Sequence, residues 1–227
     1  NEDSLEVLTE CNWLVLSDGM GGYRGGDVAS RLAVETVGAR ARLRGKAFYD
    51  VAEAVDALKS AFAEANAVIL RTAARDPQLA SMGATVVAAI FLPNRVVVAH
   101  LGDSRLYRSR GGELLQLTHD HTVLQEHVDL GIISREAARL SPQRGMLTRA
   151  LGVTEVVEPD LAAYPALAGD VYLMCSDGVT DMIQDEELMH MMAGAAANLA
   201  ACADQVVDLA NQRGGRDNIS LILAHLR

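Results

Sequence analysis

Apolar residues recur along the chain with the spacing of helices in some segments and of strands in others. Over residues 50–72 they repeat every three to four positions, which is typical of a helix with one buried face. Those positions are Val51, Ala54, Val55, Leu58, Ala61, Phe62, Ala65 and Ile69. The pattern predicts further helices from about Asp27 through Val37, from near Ser134, and over residues 198–211.

Short apolar and β-branched runs predict strands that come in pairs. Residues 85–92 and 95–101 are joined at Pro93-Asn94, and residues 106–108 and 114–117 flank Gly111-Gly112, so each pair predicts a hairpin. Further strands are predicted at residues 13–16, 171–175 and 219–226. Because strands cluster in hairpins and helices in blocks, the pattern predicts an α+β fold with helices packed on antiparallel sheets, not a Rossmann-type α/β fold.

Composition and charge narrow the class of protein. The 227 residues are 50% hydrophobic and 22% charged, which is typical of a globular chain. Twenty Lys and Arg against 30 Asp and Glu give a formal net charge of −10, which argues against nucleic acid or an anionic membrane as partner. No apolar stretch approaches about 18 residues, so no membrane segment is expected.

The cysteines and the absence of a linker bear on compartment and domain organisation. Cys11, Cys175 and Cys202 are an odd number without CxxC spacing, so we expect reduced thiols and a cytoplasmic location. Since the chain opens at Asn1 without a methionine, residues upstream of it are expected. No Pro/Ser-rich linker divides the sequence, which favours a single domain over residues 1–227.

Three aspartates occupy positions suited to binding an ion. Asp18 and Asp177 each follow an apolar run and precede a glycine, and Asp217 lies just before the last predicted strand. A strand holds such a side chain in place, and glycine lets the backbone approach an ion. Each Asp-Gly pair alone is a common turn signal. Together, converging carboxylates need a cation, and oxygen ligands favour Mg²⁺ or Mn²⁺ over zinc.

Five short motifs then occur in a characteristic order. They are Asn1-Glu2-Asp3, Asp18-Gly19-Met20-Gly21-Gly22, Gly102-Asp103-Ser104-Arg105, Ser176-Asp177-Gly178 and Gly214-Gly215-Arg216-Asp217-Asn218. In their order and approximate spacing, they make the chain similar to the bacterial metal-dependent type-2C protein serine/threonine phosphatases (PPM family). The resemblance spans essentially the whole chain, and methionine within the second motif is common in bacterial members.

The resemblance implies a four-layer sandwich of two antiparallel β-sheets flanked by helices, with a centre of two Mn²⁺ or Mg²⁺ ions and a third, weaker ion. By their place in the motifs, Asp18 would bridge both ions and the Gly19 carbonyl would bind one, while Asp177 and Asp217 would bind the other. The remaining implied roles are Asp103 with Asp177 at the third ion, Glu2 and Asp3 acting through bound water, and Asn218 supporting the ligands.

The implied activity is direct hydrolysis of phosphoserine and phosphothreonine on proteins, opposing a bacterial serine/threonine kinase. Two metal ions would lower the pKa of water from about 15.7 toward neutrality and offset charge on the phosphoryl group. The sequence has no Cys-x5-Arg loop of the kind that forms a phosphocysteine. Residues 118–152 correspond to the flap segment, a variable element that contacts substrate in this family.

Three positions bear on how far the residue roles known for the family apply to this chain. Met20 stands where eukaryotic relatives have a histidine that is a proposed general acid, and a thioether has no proton to donate. The family's phosphate-gripping arginine would precede Asn1, so Arg24 is a candidate substitute, although a solvated surface role is the simpler interpretation. His121, in the flap segment, is a second candidate for substrate contact.

Two other functions are compatible with the sequence. A phosphatase-like scaffold that binds partners without turnover should have lost a metal aspartate, and none is missing here. A metal phosphoesterase acting on nucleotides would need a base-binding pocket, which the sequence does not identify. Binding of Mn²⁺ and a panel of substrates would separate these hypotheses from a protein phosphatase.

Overall fold

The computed structural model describes residues 1–21, 25–141 and 143–227. Its strands are β1 (Asp3–Leu8), β2 (Trp13–Met20), β3 (Gly83–Ala84), β4 (Val86–Leu92), β5 (Arg95–Leu101), β6 (Arg105–Arg110), β7 (Glu113–Gln116), β8 (Asp160–Pro165), β9 (Val171–Cys175) and β10 (Leu221–His225). Its helices are α1 (Gly25–Arg44), α2 (Val51–Ala73), α3 (Val123–Asp129), α4 (Arg135–Leu140), α5 (Asp177–Thr180), α6 (Asp185–Met192) and α7 (Leu199–Gln212).

The strands form two antiparallel sheets. The first has the order β1-β2-β4-β5-β8, with the short β3 paired to the end of β2. The second has the order β10-β9-β6-β7. Both predicted hairpins are present, as β4–β5 and β6–β7. The predicted α+β class is therefore confirmed.

Three apolar clusters fill the spaces between four layers. The first sheet packs on α1 and α2 through a cluster that includes Trp13, Phe62 and Ile69. The two sheets face each other across a second cluster that contains Leu16 and Tyr172. A third cluster joins the second sheet to the helices α5, α6 and α7. This is the predicted sandwich of two sheets flanked by helices.

Side-chain caps explain where the predicted helices begin. Asp50 accepts a hydrogen bond from the Glu53 amide at 3.0 Å, and Asn198 accepts one from the Ala201 amide at 3.1 Å. Ser134 does the same for α4. Each cap satisfies an amide that the first turn leaves without a partner, so these three boundaries agree with the sequence to within a residue.

Two further observations concern the sequence expectations. Cys11, Cys175 and Cys202 are all buried and unpaired. Among the described residues, no helix combines the length and apolar character that crossing a bilayer requires.

Candidate metal centre

The acidic motifs come together at one end of the two sheets. Asp18 lies near the end of β2 in the first sheet, and Asp103 lies in the turn from β5 of the first sheet to β6 of the second. Asp177 follows β9 and Asp217 precedes β10, so both belong to the second. The charges of Asp177, Asp3 and Asp103 all act on Asp18, and that of Asp217 acts on Asp177 and Asp3. The structure thus groups five aspartates from distant parts of the chain.

The first sheet fixes Asp18 through its backbone. The strand predicted over residues 13–16 continues to Met20, so Asp18 lies within β2. The amide of Asp18 donates to Thr85 Oγ1 at 3.0 Å, and its carbonyl accepts from the Thr85 amide at 2.8 Å. The Gly19 amide donates to the Glu2 carbonyl at 3.0 Å. Asp18 is therefore held on both sides by neighbouring segments.

The second sheet presents its carboxylates differently. Strand β9 ends at Cys175, as the sequence predicted, and Asp177 is the first residue of α5. The hydroxyl of Ser176, just before it, donates to Asp3 Oδ2 at 2.9 Å. This bond joins the second sheet directly to β1 of the first.

Asn218, in the last of the five motifs, contacts the N-terminal motif Asn1-Glu2-Asp3. Its Oδ1 accepts a hydrogen bond from the Glu2 amide at 2.6 Å. A Cβ at Gly178 would lie 2.0 Å from the Asn218 carbonyl oxygen, so only glycine allows this approach. Asp217, adjacent to Asn218, is exposed. The contacts place the Asp217-Asn218 segment against Asp177 and Glu2.

Without a bound cation, the buried carboxylates of this site repel one another. Burial, followed by the charges of Asp177, Asp3 and Asp103, raises the pKa of Asp18 to about 10. Burial and the charge of Asp177 raise the pKa of Asp103 to about 8. Burial, with the charges of Asp181 and Asp217, raises the pKa of Asp177 to about 6. Such mutual repulsion is relieved by bound cations.

The donor atoms fit divalent metal ions. Among the described residues, Oδ1 of Asp3 and Oδ1 of Asp177 are buried side-chain atoms without a hydrogen-bond partner. Buried carboxylate oxygens without a partner are costly unless a donor or an ion meets them. Because the grouped side chains offer only carboxylate oxygens, the set suits Mg²⁺ or Mn²⁺ rather than a soft metal.

The two candidates for substrate contact are His121 and Arg24, and the structure describes only the first. His121 is only 2% exposed, so its ring has almost no surface to offer a substrate, and the structure does not support that role. Arg24, with Gly22, Tyr23 and Pro142, lies outside the described residues. Met20 ends β2 opposite Gly83.

Hydroxyl groups behind the carboxylates were missed by the sequence reasoning. Thr85 Oγ1 hydrogen-bonds to Ser104 Oγ at 2.7 Å, which connects the backbone of Asp18 to the residue after Asp103. Ser104 and Ser176 each stand beside a motif aspartate, and that adjacency was an available signal. Thr85 had no comparable signal, since its contact with Asp18 spans 67 residues.

Comparison with known proteins agrees with this arrangement. The family model described as Protein phosphatase 2C matches residues 1–220. The chain belongs to the protein phosphatase 2C family. That membership accounts for the whole set of acidic motifs in one fold.

Bacterial members of the protein phosphatase 2C family are similar along nearly the whole chain. A serine/threonine protein phosphatase PstP of Mycobacterium tuberculosis is 39% identical over 99% of the chain, which spans 42% of that relative's length. A serine/threonine phosphatase stp of Listeria welshimeri is 38% identical over 92% of the chain and 82% of the relative.

A solved structure adds a metal-bound example. It is the catalytic domain of the serine/threonine protein phosphatase PstP in complex with two manganese ions. It matches with a TM-score of 0.88 and 36% identity, over 99% of this chain and 91% of that one. The chain thus shares its fold with a protein known to bind manganese.

Proposed function

We propose that the chain is the catalytic domain of a metal-dependent protein serine/threonine phosphatase. The observation that carries the proposal is the convergence of Asp3, Asp18, Asp103, Asp177 and Asp217 at one end of the sandwich. In a phosphatase-like scaffold without catalytic activity, these mutually repelling carboxylates would only destabilise the fold. The names of the bacterial relatives support the reaction class.

The proposed ligands follow from position. Asp18, the Gly19 carbonyl, Asp177 and Asp217 would hold two Mn²⁺ or Mg²⁺ ions, and Asp103 would serve a third with Asp177. Glu2 and Asp3 would act through water. This assignment is supported by the shared charge environment of the aspartates and by the manganese-bound relative.

The chain's own residues prepare the site for phosphoryl transfer. When bound, the metal ions would supply an acidified water and positive charge to offset the phosphoryl oxygens. Ser176 donates to Asp3, which favours the ionised carboxylate, and Asn218 accepts from the Glu2 amide and holds that strand in place. Met20 offers no proton at the end of β2, so the proton for the leaving alkoxide must come from solvent or another side chain.

Substrate and context are also part of the proposal. We infer phosphorylated proteins as substrates, a cognate serine/threonine kinase as the opposing enzyme, and residues 118–152 as a flap segment beside the site. We further propose that residues 1–227 act as one domain. Three buried, unpaired cysteines favour a reducing compartment such as the cytoplasm.

The test is phosphate release from phosphothreonine and phosphoserine peptides with and without Mn²⁺. We expect turnover that depends on the metal, and a loss of more than about 100-fold in Asp18→Asn and in Asp177→Asn, larger than changes to residues behind metal ligands cause. Asp170→Asn is the matched control, because that buried carboxylate pairs with Arg110 away from the site.

Two results would contradict the proposal. Turnover like that of the wild type in Asp18→Asn would exclude the carboxylate centre as the active site. A preference for nucleotides over phosphopeptides would identify a different phosphoesterase.

A further inference from the structure

The ring and the backbone of His121 both hold Gly102, the residue before Asp103. The Gly102 amide donates to His121 Nδ1 at 3.2 Å, and the His121 amide donates to the Gly102 carbonyl at 3.0 Å. The side chain of His121 is only 1% exposed. Gly102 has a φ of 99° and a Cβ there would lie 2.6 Å from the Thr85 side chain, so this turn is tightly constrained. His121 is thus positioned to fix where Asp103 lies.

The contact with Gly102 decides where the imidazole proton sits. Because Nδ1 accepts from an amide, it carries a lone pair, and the proton of the neutral ring is on Nε2. Nε2 faces Asp160 Oδ2 at 3.2 Å. Arg149 Nη1 in turn donates to Asp160 Oδ1 at 2.6 Å. A line of polar contacts therefore runs from Arg149 to Gly102.

The same residues resemble a metal site, and the tautomer argues against it. One ligand atom each from His100, His121 and Asp160 lies within 4.8 Å of the other two. A metal on His121 Nε2 would require the proton on Nδ1, where it would face the proton of the Gly102 amide. The hydrogen bond at Nδ1 therefore favours a neutral ring beside Asp160 over a bound ion.

The far end of the flap segment is attached to the same histidine, which lies near the start of that segment. The Thr148 amide donates to the His121 carbonyl at 2.8 Å. Thr148 and Arg149, near the end of residues 118–152, thus reach His121 by two routes: one through the backbone and one through Asp160. From its place near the start of the flap segment, His121 contacts both the end of that segment and the turn that carries an aspartate of the candidate metal centre.

We propose that His121 is a positioning residue of the flap segment that couples the end of this segment, at Thr148 and Arg149, to the Gly102-Asp103 turn, with Asp160 orienting its ring. The catalytic meaning of this coupling rests on the proposed phosphatase function, whereas its geometry does not. Movement of the flap segment would shift Asp103 through His121, and occupancy of the metal centre would in turn stabilise one flap position.

The first test uses metal-free protein and needs no activity. Nitrogen-15 NMR of the His121 ring should show the proton on Nε2. Exchange of the Gly102 amide should be about 10-fold faster in His121→Gln, which keeps a donor toward Asp160 but loses the acceptor at Nδ1. It should stay near the wild-type rate in His121→Asn, whose Oδ1 replaces Nδ1. A proton on Nδ1, or equal exchange in both variants, would overturn the proposal.

The second test measures coupling to the metal centre. His121→Gln and Asp160→Asn should raise the Mn²⁺ concentration for half-maximal peptide dephosphorylation by about 10-fold, as changes behind metal ligands do, and His121→Asn should restore much of the loss. Asp170→Asn is the control, because it weakens a similar ion pair with Arg110 elsewhere. An equal rise in Asp170→Asn would show a general loss of stability and reject the coupling.

The two tests separate the possible failures. If the wild type released no phosphate but the NMR results held, the proposed function would fail and the positioning geometry would stand. If the enzyme were active and the exchange rate of the Gly102 amide did not depend on the side chain at position 121, the coupling alone would fail.

Discussion

Asp3 and Asp18 lie directly opposite each other on the antiparallel strands β1 and β2. Residues paired in this way point to the same face of a sheet, with Cβ atoms about 5 Å apart. Like charges in such a pair destabilise the sheet. The repulsion is part of what raises the pKa of Asp18 above its ordinary value, after burial and the charge of Asp177. Pairing β1 with β2 therefore costs free energy, which a bound cation offsets.

Removing the ionisable group of Asp18 should stabilise the metal-free protein. Asp18→Asn keeps the shape of the side chain but cannot ionise, so we expect its free energy of unfolding without metal to rise by about 1–3 kcal/mol. In the wild type, Mn²⁺ at about 100 times its dissociation constant should add about 2.7 kcal/mol. Urea unfolding with and without Mn²⁺ measures both effects, and Asp18→Asn should lose most of the second.

Asp170→Asn serves as the comparison, since it also replaces a carboxylate with an amide. That change breaks a buried pair with Arg110 and should destabilise the protein, while the stabilisation by Mn²⁺ stays as in the wild type. A metal-free Asp18→Asn protein that is less stable than the wild type would contradict the idea that repulsion dominates at this site.

The main layers of the fold could be predicted because their signals are local. The repeat of apolar residues along α2 and the hairpin turns at Pro93-Asn94 and Gly111-Gly112 depend on neighbouring residues only. Elements with weak burial escaped prediction. Strand β1 exposes Leu5 and Val7, and α3 buries only Leu124, so neither shows a clear apolar face.

The acidic residues of the site could be predicted from the sequence, whereas the residues that hold them in place could not. Aspartates at the ends of predicted strands are visible in a sequence, and a shared motif order links them. The hydroxyl of Thr85 reaches Asp18 across 67 residues, and His121 reaches Gly102 across 19. Such contacts depend on how the strands are paired and on the path of the connecting segments, which no local pattern specifies.

The close approach of α1 to the end of β2 should be sensitive to a single methyl group. A Cβ at Gly19 would lie 2.0 Å from the Gly26 carbonyl oxygen, so Gly19→Ala must push the helix away from the strand. We expect a loss of about 2–3 kcal/mol in the free energy of unfolding. Gly194→Ala is the matched control, because a Cβ there meets no atom of the described residues within 4 Å. Equal urea midpoints for the two variants would disprove the contact.

Through His121, acidification should destabilise the metal-free protein, whereas the site carboxyls with raised pKa act in the opposite direction. Burial, then the nearby charge of His100, lowers the pKa of His121 to about 4, against the effect of the Asp160 carboxylate. Below pH 6.5 the unfolded chain takes up a proton at this residue and the folded ring does not, so the contribution of His121 to stability falls as the pH falls. Between pH 7 and pH 5 the loss should be about 2 kcal/mol.

His121→Asn isolates this contribution, because asparagine does not titrate. Urea unfolding at a series of pH values should show the stability of the wild type falling relative to that of the variant by about 2 kcal/mol from pH 7 to pH 5. Parallel curves for the two proteins would show that His121 titrates in the folded state as it does in the unfolded chain.

Thr85→Val should separate the hydroxyl from the packing of this residue. Valine has nearly the same shape, but the Asp18 amide and Ser104 Oγ would both lose their partner at Thr85 Oγ1. Thr85 is 3% exposed, so water cannot easily replace the bond. We expect a loss of about 1–3 kcal/mol in the free energy of unfolding and faster hydrogen exchange at the Asp18 amide. Thr85→Ser keeps the hydroxyl and should preserve the slow exchange despite losing a methyl group. If valine protected that amide as well as serine did, Asp18 would be held by its strand partners alone.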